Sequence, residues 1–268
     1  MYLRAGGHRL EYGRIVPEPQ LGTASNPPQL VFLHEGLGSA ALWKDFPAQV
    51  VRATGVPALV YSRYGYGKSD RLAAPRGVNY MHDEALEALP QLLDALSIRN
   101  PVLVGHSDGA SIALIHAGAG SASVSGLVLL SPHVFVEDIT VKSIAEAKVA
   151  FEKTDLRSKL ARYHDDAESM FRGWNDIWLH PDFRHWNIEK YLPRVTCPLL
   201  LIQGEDDQYG TVAQVEAITR QVSGPVETRI LAHCGHSPHI DQTRVTVETI
   251  ATFIARLGDA AAPATNRA

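Results

Sequence analysis

One serine in this chain stands in a pattern that is typical of a nucleophile. Residues 105–109 place Ser107 in the pattern Gly-x-Ser-x-Gly. The apolar run 102–104 before it predicts a buried strand, and 110–117 after it predicts a helix. A serine at such a turn projects its hydroxyl out of the fold, and the turn closes only if its neighbours are as small as glycine. The first free N–H groups of the following helix point at the same spot, where they can stabilise negative charge. We therefore predict that Ser107 is a nucleophile.

A serine hydroxyl needs a base within hydrogen-bonding reach, and the base needs an acid that orients it. In open α/β sheets the reacting groups gather at the carboxyl ends of the strands. The strand pattern resumes at 199–203 and again at 226–231, and each predicted strand is followed by a polar loop. The first loop offers the acids Glu205, Asp206 and Asp207, and the second offers the bases His233, His236 and His239. The chain order is therefore serine, acid, histidine.

Apolar strands alternate with amphipathic helices along most of the chain. Further strands are predicted at 30–33, 58–61 and 127–130, and helical spacing of leucines predicts a helix over 80–96. Residues 9–16 predict an antiparallel hairpin at a sheet edge. The alternation is typical of a mostly parallel sheet that is covered by helices on both faces.

The alternation stops between 132 and 192, which contain no buried-strand run. This segment predicts helices over 144–153, 156–164 and 167–179. We interpret 132–192 as an inserted helical cap on a core formed by 1–131 and 193–258, with a flexible tail over 259–268. Because such a cap covers the strand ends, one or two of its aromatic rings are expected to line an apolar pocket. The candidate substrate contacts in the cap are Trp174, Trp178 and Trp186.

From Leu30 to about Leu257 the chain resembles the α/β-hydrolase fold family. The resemblance rests on five motifs in the family's order: His34-x-Gly36, Gly65-x-Gly67-x-Ser69, the serine turn, Gly204-x-x-Asp207 and Gly235-His236. It implies a mostly parallel eight-stranded sheet with helices on both faces and an inserted cap. It also implies Ser107 as nucleophile. The family pattern Gly-x-x-Asp selects Asp207 as orienting acid, and Gly-His selects His236 as general base.

A tetrahedral intermediate needs N–H donors aimed at its oxyanion. One expected donor is the backbone N–H of Asp108, the residue after the nucleophile. The resemblance implies Gly36 as the second. Glu35 departs from the family, because relatives usually carry glycine there. Its carboxylate either turns outward to cap a backbone group or contacts substrate in the pocket, and we favour the first, since an ionised Glu35 would oppose the oxyanion.

A second departure lies at 62–65, which read Ser-Arg-Tyr-Gly where many relatives carry Asp-x-Arg-Gly. We expect that a structural ion pair of the family is lost or replaced at this point. This change bears on stability more than on mechanism.

Composition limits the partners of the protein. The net charge of −4 over 268 residues includes no long run of one sign, which disfavours nucleic acid and anionic membranes as partners. The chain has only two cysteines, no apolar leader and no stretch of about 20 apolar residues, which fits a cytoplasmic protein without a disulfide framework. The histidines lack metal-ligand spacing, and Gly65-x-Gly67 lacks a dinucleotide fingerprint, so no metal and no cofactor are expected. The oligomeric state is left unassigned.

These observations predict a cofactor-independent serine hydrolase with a small-molecule substrate. The favoured substrate is a small to medium, largely apolar carboxylic ester, followed by a lactone or thioester, cleaved through an acyl-enzyme. One alternative is a carbon–carbon hydrolase of ring-cleavage products, whose relatives usually carry a His-Gly-Gly-Gly loop that this chain lacks. A perhydrolase or an acyltransferase reuses the same triad. A small-molecule receptor on a hydrolase scaffold is the non-enzymatic alternative.

Overall fold

Eight strands form a single sheet in the computed structural model, which describes residues 1–17, 29–120 and 123–261. The strand order is β1-β2-β4-β3-β5-β6-β7-β8. The hairpin β1–β2 is antiparallel, β2 pairs antiparallel with β4, and all other pairs are parallel. The predicted fold class is therefore confirmed. The strands are β1 Tyr2–Ala5, β2 His8–Ile15, β3 Leu30–Leu33, β4 Ala58–Tyr61, β5 Val102–His106, β6 Gly126–Leu130, β7 Leu199–Gly204 and β8 Val226–Leu231.

The described residues form ten α-helices, of which the last two follow the last strand. The long helical region after β4 contains one π-helical turn, Glu84–Ala88. Two 3-10 helices, Pro181–His185 and Glu189–Arg194, precede β7. The α-helices are α1 Phe46–Thr54, α2 Tyr80–Asp83, α3 Leu89–Ala95, α4 Asp108–Ala119, α5 Asp138–Lys153, α6 Leu156–Leu160, α7 Ala167–Trp178, α8 Val212–Gln221, α9 Pro238–Asp241 and α10 Thr243–Ala261.

The central strands are buried on both faces because successive side chains of a strand point to opposite sides. In β3, Leu30 and Phe32 contribute to one hydrophobic cluster, which α1 and α10 cover. Val31 and Leu33 contribute to the other cluster, which α2–α8 and the 3-10 helices cover. This two-sided burial explains why the central strands are continuous apolar runs.

Between β6 and β7 the chain forms α5, α6, α7 and the two 3-10 helices, where the sequence predicts the cap. The entry and exit of this segment lie side by side, because Phe135 and Asn187 form an isolated antiparallel bridge. The segment also has contacts of its own. The Asn175 side chain of α7 donates to the Ile144 carbonyl of α5 at 2.8 Å, and Phe151 stacks on Phe171 at 3.9 Å between ring centres.

The stretch 259–268, predicted as a flexible tail, begins inside helix α10. Helix α10 continues to Ala261, so the first three residues of the stretch 259–268 are helical. Residues 262–268 of this predicted tail lie outside the described residues. Across the described ranges, no helix combines the length and apolar character that crossing a membrane requires.

Helix α4 lies close to the sheet because glycines occupy the contact points. A Cβ atom at Gly109 would lie 2.0 Å from the carbonyl oxygen of Leu33 in β3. A Cβ atom at Gly105 would lie 2.5 Å from the carbonyl oxygen of Gly109 and 2.6 Å from the Cα atom of Ala110. Each contact involves backbone atoms, which cannot rotate away. The two outer glycines of the serine pattern therefore set the distance between β3, β5 and α4.

Substituting Gly109→Ala is expected to lower the free energy of unfolding by at least about 2 kcal/mol, because the added methyl overpacks a backbone contact. Gly77→Ala is the matched control, since a Cβ there meets nothing within 4 Å and the backbone φ is not in the left-handed region. The control is expected to change stability by less than about 1 kcal/mol. Urea unfolding curves measure both, and equal effects of the two substitutions would contradict the packing account.

Candidate active site

Ser107 lies at the turn between β5 and α4 in a strained backbone conformation. Its φ of 52° and ψ of −117° fall in a region that L-residues rarely occupy. The turn is held in place because the Ser107 N–H donates to the Leu130 carbonyl at 2.9 Å and its own carbonyl accepts from Ala110 N–H at 2.9 Å. Such a conformation costs about 1–3 kcal/mol and persists only where the surrounding structure determines it. The sequence prediction of a strained strand-to-helix turn therefore matches the structure at this residue.

The loops after β7 and β8 bring one carboxylate and one imidazole together. His236 Nδ1 lies 2.9 and 2.8 Å from the two carboxylate oxygens of Asp207. The Asp207 carboxylate also accepts from the Gln203 side-chain amide at 2.6 Å and from the Tyr209 N–H at 2.8 Å. Burial raises the pKa of Asp207, but the hydrogen bond and charge of His236 together with the Tyr209 N–H outweigh it, so the pKa lies below its ordinary value. Asp207 is thus an anion that fixes the orientation of His236.

The other acids and bases of these loops do not share this position. Glu205 and Asp206 are exposed, as is His233. His239 is buried elsewhere, with its ring 5.0 Å from the ring of Trp43. Of the six candidates that the two loops offer, the structure joins only Asp207 and His236.

Ser107 and His236 line one cavity of about 180 Å³. No hydrogen bond joins the two side chains among the contacts of the described residues. Catalytic hydrogen bonds are often long without substrate and tighten in the complex. The cavity therefore brings nucleophile and base to one place, and their catalytic roles remain predictions.

Two backbone N–H groups at this cavity have no acceptor among the described residues. They belong to Gly36, in the loop after β3, and to Asp108, the first residue of α4. At Gly36 the loop lies against the indole of Trp174, because a Cβ atom there would be 2.0 Å from Trp174 Nε1. Only glycine fits this contact. The two predicted oxyanion donors thus share the cavity with Ser107.

Glu35 caps a backbone group and also lines the cavity. Its Oε2 atom accepts a hydrogen bond from the Leu37 N–H, as expected for a cap. The outward orientation that we expected with this cap is not found. Burial raises the pKa of Glu35 to about 7; the Leu37 N–H opposes this shift, the negative charge of Asp108 adds to it, and Arg63 and His236 lower it. Near pH 7 the side chain is therefore close to half protonated, which lessens its conflict with an oxyanion.

The three predicted cap tryptophans occupy two different environments. Trp174 and Trp178 line the cavity with Ile144. Trp186 is not among the residues that line this cavity, and its role as a substrate contact stays a prediction. It lies behind Trp178, at 5.9 Å between ring centres, and stacks on Phe183 at 5.5 Å. The Trp186 ring therefore packs in the hydrophobic core of the segment 132–192.

Arg63 is a buried cation that the sequence analysis did not assign to the site. Its Nη2 atom lies 3.6 Å from Asp108 Oδ2 and donates to the carbonyl oxygens of His34 at 3.2 Å and Glu35 at 2.9 Å. The Tyr80 hydroxyl donates to the same Asp108 oxygen at 2.7 Å. The expected replacement for a family ion pair is therefore the pair Arg63–Asp108, which ties the loop after β3 to the start of α4. Two features of the sequence could have indicated this pair. Arg63 stands one position before the arginine of the family motif Asp-x-Arg-Gly, and Asp108 directly follows Ser107.

Gln203 is another residue that sequence reasoning missed. It is the polar member of the otherwise aliphatic run in β7, and it is 1% exposed. A lone amide at the end of a buried strand needs a hydrogen-bonding partner, and here the partner is the Asp207 carboxylate.

No group of three or more metal-ligating side chains is arranged to hold an ion in the part of the chain that the structure describes.

Comparison with known protein families identifies the family of this chain. A sequence model described as the "Alpha/beta hydrolase family" matches residues 30–249, most of the chain. The chain belongs to the alpha/beta hydrolase family.

Curated relatives match parts of this alpha/beta hydrolase. An N-formylmaleamate deformylase of Pseudomonas putida is 26% identical over 59% of the chain and 65% of that protein. A 2-succinyl-6-hydroxy-2,4-cyclohexadiene-1-carboxylate synthase of Enterobacter sp. is 30% identical over 55% of the chain and 52% of that protein. The chain thus spans about half to two thirds of the length of these relatives. A solved proline iminopeptidase of Mycobacterium smegmatis has 17% identity and a TM-score of 0.75, covering 98% of this chain and 99% of its own, which shows a shared fold.

Replacing Arg63 with leucine in this alpha/beta hydrolase is expected to lower the free energy of unfolding by about 3–5 kcal/mol, since Asp108 is left as an uncompensated buried charge. Arg9→Leu is the control, because Arg9 and Asp70 form an ion pair whose side chains are 51% and 40% exposed. The control is expected to cost less than about 1 kcal/mol. Urea unfolding measures both values. A small effect at Arg63 would show that the pair does not hold the two loops.

The raised pKa of Glu35 predicts a stability that falls with pH. An unfolded glutamate ionises near 4.5, whereas folded Glu35 ionises near 7, so the wild-type protein loses stability between these values. Glu35→Gln removes this loss. The variant is expected to match wild type at about pH 4 and to exceed it by up to about 3 kcal/mol at about pH 8. Thermal unfolding across this pH range measures the difference, and a pH-independent difference would contradict the assigned pKa.

Proposed function

We propose that this alpha/beta hydrolase is a serine hydrolase that cleaves small, largely apolar carboxylic esters through an acyl-enzyme at Ser107. The observation that carries the proposal is the imidazole of His236, held by Asp207, in the same cavity as the Ser107 turn and two unpartnered N–H groups. Lactones and thioesters contain the same reacting carbonyl and fall within the proposal.

In the proposed reaction His236 Nε2 removes the proton of Ser107 Oγ while this oxygen attacks the acyl carbon. The carbonyl oxygen becomes an oxyanion, which accepts hydrogen bonds from the N–H groups of Gly36 and Asp108. The tetrahedral intermediate collapses when the carbon–oxygen bond to the leaving alcohol breaks, and His236 returns the proton to that alcohol. Water, deprotonated by His236, then attacks the acyl-enzyme, and the acid and free serine are released. Throughout, Asp207 stabilises the imidazolium form of His236.

The size and lining of the cavity support a small acyl group. Its volume of about 180 Å³ is small beside the roughly 300–1,000 Å³ of typical small-molecule pockets. Ile144, Trp174 and Trp178 supply apolar walls from the cap. An acyl chain of a few carbons fits this space.

A second candidate is hydrolysis of a small amide, such as a formamide. The match to a protein named N-formylmaleamate deformylase favours it, and so does the small volume of the cavity. An amide uses the same nucleophile, base and oxyanion donors, with an amine as the leaving group that His236 protonates.

Three substitutions test the roles of the proposed triad. Ser107→Ala and His236→Ala are each expected to lower kcat by at least about 10⁴-fold on p-nitrophenyl acetate and butyrate, because the triad acts as a unit. Asp207→Asn is expected to lower kcat by about 10²–10⁴-fold with normal folding, since the imidazole loses its orienting anion. Asp206→Asn, an exposed neighbour of Asp207, is the matched control and is expected to retain wild-type kcat.

A Ser107→Ala protein with undiminished turnover would remove Ser107 as nucleophile, and loss of activity in Asp206→Asn alone would remove Asp207 as the acid. A panel of esters, lactones, thioesters, formamides and ring-cleavage diketones separates the substrate classes. Added alcohols or hydrogen peroxide as acceptors detect acyltransferase or perhydrolase activity. Binding without turnover of any of these compounds would favour the receptor alternative.

A further inference from the structure

The active-site cavity carries one carboxyl group without a cationic partner. None of its fifteen lining residues is lysine or arginine, and its two carboxyl groups belong to Asp108 and Glu35. The Asp108 carboxylate is paired with Arg63 at 3.6 Å and accepts from the Tyr80 hydroxyl at 2.7 Å. Glu35, in contrast, accepts only the Leu37 N–H and forms no ion pair within the described residues. The uncompensated acidic group of the cavity is therefore Glu35.

Glu35 also lies close to where the reacting carbonyl must bind. It directly precedes Gly36, which lines the cavity and whose N–H is a proposed oxyanion donor. A substrate atom attached to the acyl carbon is therefore held near this carboxyl group whenever the carbonyl oxygen contacts Gly36. The carboxyl thus acts on the acyl part of a substrate.

The walls beside Glu35 suit a cation. The indole of Trp174 lies against Gly36, and Trp178 lines the same cavity with the next turn of α7. Indole faces attract ammonium groups within about 6 Å, and the attraction grows where water is excluded. A carboxyl group in a lining without lysine or arginine favours a cation and repels a carboxylate. An indole that turns its face to the bound ammonium would add to the attraction.

We propose that Glu35 determines substrate specificity, so that the cavity prefers acyl groups that carry an ammonium group on the carbon next to the scissile carbonyl. This inference rests on the proposed serine hydrolase function and names its substrate class as esters of small amino acids. Glu35 pairs with the ammonium group, Trp174 and Trp178 shield the pair from water, and the apolar side chain of the amino acid lies against Ile144. An ammonium at this place also neutralises Glu35, which removes the conflict between its anion and the developing oxyanion.

The test compares four methyl esters that differ in one group at the same carbon. L-alanine methyl ester carries an ammonium, methyl isobutyrate a methyl, methyl lactate a hydroxyl, and monomethyl methylmalonate a carboxylate. The ratio of kcat/KM for the alanine ester to that for the isobutyrate ester is measured by pH-stat at about pH 7. We expect a wild-type ratio of at least about 10 and a tenfold or greater drop in Glu35→Gln, which keeps the shape and the acceptor for Leu37 N–H but removes the charge.

Glu146→Gln is the matched control. Glu146 is an exposed carboxylate on α5, outside the residues that line the cavity, and its charge acts on Tyr209 of the lining. Glu146→Gln makes the same chemical change as Glu35→Gln. An effect that comes only from losing one negative charge on the protein therefore appears in both variants. We expect Glu146→Gln to keep the wild-type ratio.

Binding to the Ser107→Ala protein gives a second measurement that does not need turnover. Calorimetric titration with L-alanine methyl ester is compared between Ser107→Ala and Ser107→Ala/Glu35→Gln, and we expect the second to bind at least about tenfold more weakly. A wild-type preference for the isobutyrate, lactate or methylmalonate ester overturns the proposal, as does an unchanged ratio in Glu35→Gln. If all four esters are inert but the calorimetric difference is present, the proposed hydrolase function fails while the cation site stands. If the neutral ester turns over and depends on Ser107 but Glu35 has no effect, the hydrolase function stands and the specificity proposal fails.

Discussion

The structure depends above all on the strained turn at Ser107. A residue with φ of 52° and ψ of −117° cannot extend either the strand before it or the helix after it, so the chain reverses sharply between β5 and α4. The turn is tight enough that Gly105 and Gly109 contact backbone atoms directly, with no space for a Cβ atom. The same reversal places the start of α4, with its free N–H groups, beside the serine side chain. The hydroxyl, its electrostatic surroundings and the position of α4 all follow from this one constraint.

A buried ion pair extends that constraint to the loop after β3. Arg63 contacts the Asp108 carboxylate on one side and the carbonyl oxygens of His34 and Glu35 on the other. The N–H groups of Gly36 and Asp108 belong to these two segments. The Arg63 guanidinium therefore fixes the positions of both proposed oxyanion donors relative to each other. Burying such a pair is expensive in desolvation, and a hydrophobic replacement of the whole pair is often no less stable. Its presence here is therefore better explained by the geometry that it imposes than by the stability that it adds. The Trp178 indole, which donates to the Tyr80 hydroxyl at 3.0 Å, links the cap to the same network.

Local patterns in the sequence predicted the elements of the fold well. The central strands β3 to β7 are largely apolar runs bounded by glycine, proline or polar residues, which is the pattern expected of strands buried on both faces. Helix bounds were less accurate, because they depend on tertiary contacts. Helix α6 ends at Leu160, not near His164, because the His164 ring lies between the core loops, where it accepts from Gly67 N–H and donates to the Leu37 carbonyl, each at 2.9 Å.

Only those site residues that belong to a sequence motif could be predicted. Asp207 and His236 were selected by family patterns, and the structure brings both to the predicted loops. Arg63, Gln203 and the position of Glu35 depend on contacts between residues far apart in the chain, which no local pattern contains. Trp186 shows the same limit, because a ring in a helical cap faces either the cap core or the pocket, and only packing decides between them.

The most direct test of the account is a crystal structure of the protein after reaction with a p-nitrophenyl alkylphosphonate, which mimics the tetrahedral intermediate. The account predicts a covalent bond from Ser107 Oγ to phosphorus, with one phosphonyl oxygen about 3 Å from the backbone nitrogens of both Gly36 and Asp108. His236 Nε2 is then expected within hydrogen-bonding distance of Ser107 Oγ or of a second phosphonyl oxygen. An unmodified Ser107, or an adduct whose oxygens contact neither nitrogen, would contradict the account.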